Sequence, residues 1–97
     1  EAAFRQELLL AVLLTPAAFW VGQTATQVIL LLCSLVFVLI VELLNSAVEA
    51  VADAVSLEHN PLIGRAKDLG SAAVLLSLLM AGALWIVCTL NHWHPIL

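Results

Sequence analysis

Four polar side chains recur at helical spacing in an otherwise apolar part of the sequence: Glu42, Asn45, Glu49 and Asp53. Their intervals of three, four and four residues place them on one helix face, within an arc of about 80°. Three carboxylates on one face repel one another unless a cation lies among them. The pattern therefore fits two interpretations: a carboxylate cluster built around a metal ion or a basic group, or a solvated helix face beside a membrane.

The composition indicates an integral membrane protein. Of the 97 residues, 64 % are hydrophobic and 10 % are charged, against about 45–50 % and 25 % in soluble globular domains. A domain of this size cannot bury that much apolar surface in its own core, so lipid must cover much of it. The net charge of −4 argues against a nucleic-acid-binding protein, which needs clustered Lys and Arg.

Three long apolar segments predict an all-α membrane protein, a helical bundle with three transmembrane helices. We expect the spans at about 3–22, 24–55 and 62–90, within a single domain that covers residues 1–97. Pro16 lies inside the first span and Pro61 is suited to the first turn of the third. Phe19, Trp20 and Trp93 fit the aromatic belts that mark membrane interfaces.

The few cations predict the orientation in the membrane. Arg5 precedes the first span, and Arg65 and Lys67 lie between the second and third spans, whereas residues 22–26 and 92–97 contain no Lys or Arg. The positive-inside rule therefore assigns the side with the cations to the cytoplasm and the C-terminus to the periplasm. The polar residues within 1–7, 42–53 and 65–68 are then expected to meet at the cytoplasmic surface.

Carboxylates and cations at a lipid–water boundary are suited to phosphoryl transfer from a water-soluble donor to a lipid. That reaction needs carboxylate-held Mg²⁺, cations for the phosphate oxygens and a base for the proton of the acceptor. The sequence contains no G-x-x-x-x-G-K-[ST] phosphate-binding loop. A kinase built on this chain would therefore be of an unusual type.

Two segments resemble the signature segments of the prokaryotic diacylglycerol kinase family. They are E-L-L-N-S-A-V-E at 42–49, followed by Asp53, and G-R-A-K-D-L-G-S-A-A-V at 64–74. The opening E-A-A-F-R-Q-E at 1–7 resembles the family's segment before its first span, and the resemblance covers practically the whole chain. The family also has an amphipathic N-terminal surface helix, which we expect to precede Glu1.

The resemblance implies a Mg²⁺-dependent kinase of the bacterial inner membrane that transfers the γ-phosphoryl group of ATP to diacylglycerol and produces phosphatidic acid. It also implies a homotrimer whose active sites are shared between neighbouring subunits. By position, it implies that Glu42 is the general base, that Glu1 and Glu49 hold the metal, and that Asn45 orients the substrate. It assigns the nucleotide and its phosphates to a further set of polar residues: Gln6, Asp53, Lys67 and Asp68.

Arg65 and Ser71 belong to the same matching segment and are additional site candidates. Arg65 fits a lipid-headgroup anchor equally well, since basic residues beside a membrane bind anionic lipids. Ser71 also fits close helix packing, where small residues let membrane helices approach one another.

Two other functions remain open at this point. Undecaprenol kinase is a relative that shares both segments, and the choice of acceptor lipid is subtle. A small oligomeric proton- or cation-conducting protein is the alternative from another class, but such proteins place their ionisable group deep in the span. Here the apolar run at 28–41 contains only Ser34 as a polar residue.

Overall fold

The computed structural model describes residues 2–55 and 60–95, with side chains from Phe4 onwards. Three helices make up these residues: α1 (Ala2–Val21), α2 (Ala25–Val55) and α3 (Pro61–Trp93). The described parts contain no strand, and each helix is long and apolar enough to cross a membrane. The predicted fold class, an all-α protein with three transmembrane helices, is confirmed.

Local sequence explains where the helices begin and end. Gly22 follows α1, and a Cβ atom added there would lie 2.7 Å from Val28 Cγ2 and 3.0 Å from the Ala18 carbonyl oxygen, so the tight turn into α2 needs a glycine. Thr24 Oγ1 accepts a hydrogen bond from Gln27 N at 3.1 Å. Asn60 Oδ1 accepts a hydrogen bond from Leu62 N at 2.9 Å. Asn60 therefore caps the N-terminus of α3, and Pro61 occupies the first turn of that helix.

The three helices pack unequally. α2 and α3 contact each other most extensively, α1 packs mainly against α2, and α1 meets α3 at few places. The buried cluster is small and consists of Ala18, Val21, Leu31 and Cys88. Most of the large apolar side chains in the described residues face outwards, as expected for helices that meet lipid or a neighbouring subunit.

Hydrogen bonds between side chains fix how α3 lies along α2. Trp85 Nε1 donates to Ser34 Oγ at 3.0 Å, and the Ser34 hydroxyl donates to the Leu31 carbonyl oxygen at 2.6 Å. Ser34 is only 2 % exposed, so it gives the indole N–H an acceptor in a region without water. The single polar residue of the central apolar run therefore joins two helices.

A second group of contacts closes the end of the bundle where α1 turns into α2. The amide of Gln23 donates to the His92 carbonyl oxygen at 3.1 Å and accepts from Asn91 Nδ2 at 3.1 Å. The ring of Trp20 lies 5.0 Å from that of His92 and 6.1 Å from that of Trp93, measured between centroids. These contacts hold the end of α3 against the α1–α2 turn and leave the charged ends of the helices together at the opposite pole.

Candidate functional site

The polar row of α2 lies on an unbroken helix. Because α2 continues from Ala25 to Val55, the residues at 42, 45, 49 and 53 keep the common face that their spacing predicts. Glu42, Asn45 and Glu49 are half-buried, whereas Asp53 is exposed. Asn45 Nδ2 donates a hydrogen bond to Glu49 Oε1 at 3.2 Å. The row thus passes from a partly dehydrated end at Glu42 to open solvent at Asp53.

Lys67 of α3 is the cation that lies across this row. Its Nζ atom is 2.7 Å from Asp53 Oδ1, and the Glu49 carboxylate is close enough to attract the ammonium group as well. The side chains of Lys67 and Asp53 are 42 % and 68 % exposed, so water screens the pair and it adds little to stability. The ammonium group offsets the repulsion among the carboxylates while it stays accessible from outside.

At Gly70, the backbone of α3 lies close to Asn45 of the same row. A Cβ atom added at Gly70 would collide with Asn45 Oδ1 and would lie 3.3 Å from Asn45 Cγ. The Oδ1 atom is buried, and no hydrogen-bond donor in the described part of the chain reaches it. The spacing in the sequence did not single out this contact, because it depends on the register between two helices.

Four of the other candidates lie on α1 and α3. Arg65, Asp68 and Ser71 are exposed on the first turns of α3, and Gln6 is exposed on α1. Asp68 is about 100° around the helix from Lys67, so the two side chains leave α3 in different directions. Glu1 lies outside the described residues.

The first turns of α1 reach the level at which α2 becomes polar. Glu7, the neighbour of Gln6, lines one end of an apolar groove of about 250 Å³ together with Leu39 of α2 and Leu78 of α3. Leu39 is one helical turn from Glu42, so the start of α1 lies near the Glu42 end of the polar row. The positions of the cations predicted that residues 1–7 lie at this surface, but no motif in the sequence singled out Glu7.

The carboxylates of this site suit a metal ion that is also bound by a second ligand, such as a phosphate group. Within residues 2–55 and 60–95, no group of three or more His, Cys, Asp or Glu side chains is arranged to hold a metal ion. Mg²⁺ is usually bound by one or two protein carboxylates and completes its coordination with phosphate oxygens and water. The half-buried Glu49, with its amide partner Asn45, fits that requirement without a complete cage of protein ligands.

Comparison with known proteins places these residues in a defined family. The sequence profile described as prokaryotic diacylglycerol kinase matches residues 1–89. The chain is 47 % identical to a diacylglycerol kinase of Haemophilus influenzae over 85 residues, which is 88 % of this chain and 72 % of that protein. The corresponding protein of Escherichia coli K12 is 45 % identical over 93 residues, 96 % of this chain and 76 % of the relative.

A diacylglycerol kinase of Pseudomonas aeruginosa is 47 % identical over 91 residues, which covers 94 % of this chain and 74 % of that protein. Together with three helices of membrane-spanning length, these similarities make the chain a bacterial membrane protein. The matched region contains all of α1 and α2 and most of α3, and it includes every residue of the polar row together with Lys67. The chain belongs to the prokaryotic diacylglycerol kinase family.

Proposed function

We propose that this chain is an ATP-dependent diacylglycerol kinase. The oxygen of the diacylglycerol hydroxyl attacks the γ-phosphorus of ATP, the bond from that phosphorus to the β–γ bridging oxygen breaks, and the products are phosphatidic acid and ADP. The observation that carries the proposal is the polar row of α2 with Lys67 across it, at the charged end of membrane-length helices. Family membership supports the same activity.

Glu42 is the proposed general base and takes the proton of the lipid hydroxyl as the new P–O bond forms. It lies where the apolar run of α2 gives way to the polar row, and it is half-buried. A diacylglycerol hydroxyl reaches the protein at the same depth, between acyl chains and headgroups. Asn45, one turn further along α2, is proposed to orient the reacting groups.

Lys67 and Glu49 are proposed to receive the nucleotide. Lys67 would contact phosphate oxygens, and Glu49, with Glu1, would hold the Mg²⁺ ion. The metal ion neutralises charge on the phosphates when it is bound. Because Lys67 is paired with Asp53, nucleotide binding must open or share that ion pair. Gln6, Asp53 and Asp68 are assigned to the nucleotide as well, Asp53 through its ion pair with Lys67, and Arg65 and Ser71 are assigned to the edge of the site.

The proposed assembly is a homotrimer whose active sites form between neighbouring subunits. Two features of the chain support it: large apolar side chains are exposed on all three helices, and Asp68 is exposed on α3 in a different direction from Lys67. We further propose that the active site faces the cytoplasm and that the C-terminus is periplasmic, because the cations lie on the side of the site.

Replacing Lys67 tests the proposed phosphate contact. In Lys67→Gln the charge-assisted hydrogen bond to phosphate is lost, and we expect the KM for Mg·ATP to rise about 10–100-fold. The KM for diacylglycerol and the unfolding temperature should change little, because the Lys67 side chain is solvent-accessible. Steady-state kinetics with each substrate varied separately measures both constants.

Asp53→Asn is the matched comparison for this experiment, since it breaks the same ion pair and leaves the ammonium group in place. We expect a clearly smaller change in the KM for Mg·ATP than in Lys67→Gln. If both variants raise that KM equally, the ion pair itself matters and the phosphate contact is wrong.

A panel of defined lipids tests the activity itself. Purified protein in mixed micelles with γ-labelled ATP and Mg²⁺ is offered diacylglycerol, undecaprenol or no lipid acceptor, and the labelled lipid product is counted. We expect label in phosphatidic acid at a rate well above that for undecaprenol. A faster rate with undecaprenol would replace diacylglycerol kinase by undecaprenol kinase, and proton flux in liposomes without consumption of ATP would support the conducting alternative.

A further inference from the structure

The contact between Gly70 and Asn45 is closer than any side chain at position 70 allows. A Cβ atom at Gly70 would collide with Asn45 Oδ1 and would stand 3.3 Å from Cγ and 3.9 Å from Cα of Asn45. The backbone of α3 therefore lies directly against the Asn45 amide. Shifting that amide is the only alternative to moving one of the two helices.

The orientation of the Asn45 amide follows from its neighbour Glu49. A carboxylate only accepts hydrogen bonds, so the NH₂ group must face Glu49 Oε1, as it does at 3.2 Å. That orientation leaves Oδ1 pointing towards α3, where it is buried without a hydrogen-bond donor from the described residues. Rotating the amide by 180° would place its oxygen against the carboxylate, which repels it. Asn45 thus has one acceptable orientation, and that orientation needs the space at Gly70.

We propose that Gly70 is a positioning residue for nucleotide binding: by leaving room for the Asn45 amide, it keeps the hydrogen bond to Glu49 and so fixes the carboxylate that meets Mg·ATP. The inference rests on the proposed function for the role of Glu49. Groups that orient a metal-binding carboxylate typically change metal affinity or activity about 10–100-fold when they are lost. Gly70 acts through Asn45 and does not itself touch the substrate.

The other glycines of α3 provide controls that distinguish this role of Gly70 from ordinary helix packing. Added Cβ atoms at Gly64 and Gly82 meet nothing within 4 Å in the described structure. Alanine is also the better helix former at an open position. Gly82→Ala is therefore a matched control on the same helix, with the same chemical change and without the steric conflict.

The test compares Gly70→Ala, Gly82→Ala, Asn45→Ala and the double variant Asn45→Ala/Gly70→Ala in lipid micelles. Two quantities are measured: equilibrium binding of a non-hydrolysable ATP analogue with Mg²⁺, and the separate KM values for Mg·ATP and diacylglycerol. We expect Gly70→Ala to weaken analogue binding and raise the KM for Mg·ATP about 10–100-fold, with a small change in the KM for diacylglycerol. Gly82→Ala should match the wild type, and the double variant should match Asn45→Ala, because the side chain that collides is gone.

Three results would overturn the proposal: normal analogue binding by Gly70→Ala, a loss of kcat alone with normal binding and KM, or additive losses in the double variant. If Gly70→Ala does not fold, a double variant that folds and binds like Asn45→Ala supports the proposal, because removal of the Asn45 side chain then relieves the conflict. A double variant that also fails to fold contradicts it. Wild-type protein that phosphorylates no lipid would contradict the kinase assignment separately.

Discussion

Glu42→Gln is expected to lower kcat for diacylglycerol phosphorylation by about 10²–10⁴-fold, the usual contribution of a general base. The amide has nearly the same size as the carboxylate but cannot accept the proton of the lipid hydroxyl. Because the nucleotide is proposed to bind at Glu49, further along α2, and at Lys67 of α3, the affinity for Mg·ATP and the oligomeric state should remain as in the wild type. Initial rates at saturating lipid, with analogue binding and sedimentation on the same preparation, measure these three properties.

Glu42→Asp is the graded comparison for that experiment. It keeps a carboxylate and withdraws it by one methylene group, so we expect a rate between those of the wild type and Glu42→Gln. If Glu42→Gln retains its rate, or loses nucleotide binding in parallel with its rate, Glu42 is not the base. A structural contribution of the residue would be revealed instead by loss of the assembled oligomer in both variants.

The parts of the fold that the sequence predicted are those that depend on one helix at a time. The apolar lengths predicted three transmembrane helices, because an apolar helix of membrane-spanning length has few alternatives. The polar row at 42–53 was predicted because α2 is regular, and spacing alone then fixes the common face. Of the two interpretations of this row, the one with a basic group among the carboxylates agrees with the position of Lys67, 2.7 Å from Asp53 Oδ1.

Contacts between helices could not be predicted in the same way. Whether Gly70 meets Asn45, or Trp85 meets Ser34, depends on the register and separation of α2 and α3. That register results from the sum of many small packing contacts, none of which leaves a periodic signal in the sequence. The glycines of α3 look alike as residue types, yet only the structure separates the crowded position at 70 from the open ones at 64 and 82.

The charged groups share a side of the molecule for a physical reason. Long apolar segments exclude charge, and the turn between α1 and α2 carries none, so every Asp, Glu, Lys and Arg of the sequence lies within residues 1–7 or 42–68. A membrane enzyme of this size therefore has little choice of site. Its catalytic groups must project from helix ends at the boundary, where a lipid hydroxyl and a soluble nucleotide can both arrive.

Glu49→Gln should separate nucleotide binding from proton abstraction. We expect the KM for Mg·ATP, and the Mg²⁺ concentration that gives half-maximal activity, to rise at least about tenfold, because a neutral amide binds Mg²⁺ more weakly than a carboxylate does. In the wild type, Asn45 Nδ2 donates a hydrogen bond to Glu49 Oε1. The side-chain oxygen of a glutamine at position 49 can accept the same hydrogen bond, so the contact between residues 45 and 49 can persist. Titrations of Mg²⁺ at fixed ATP and of ATP at fixed excess Mg²⁺ measure the two constants.

Asp53→Asn provides the comparison on the same helix face. Asp53 is one turn beyond Glu49, exposed, and already paired with Lys67, so its loss should shift the Mg²⁺ dependence far less. Equal shifts in the two variants would mean that Mg²⁺ dependence follows the general negative charge of the α2 face and not a ligand at Glu49. A selective shift in Glu49→Gln, with Glu42→Gln impaired only in turnover, requires that the two glutamates act on different substrates although they are only two helical turns apart.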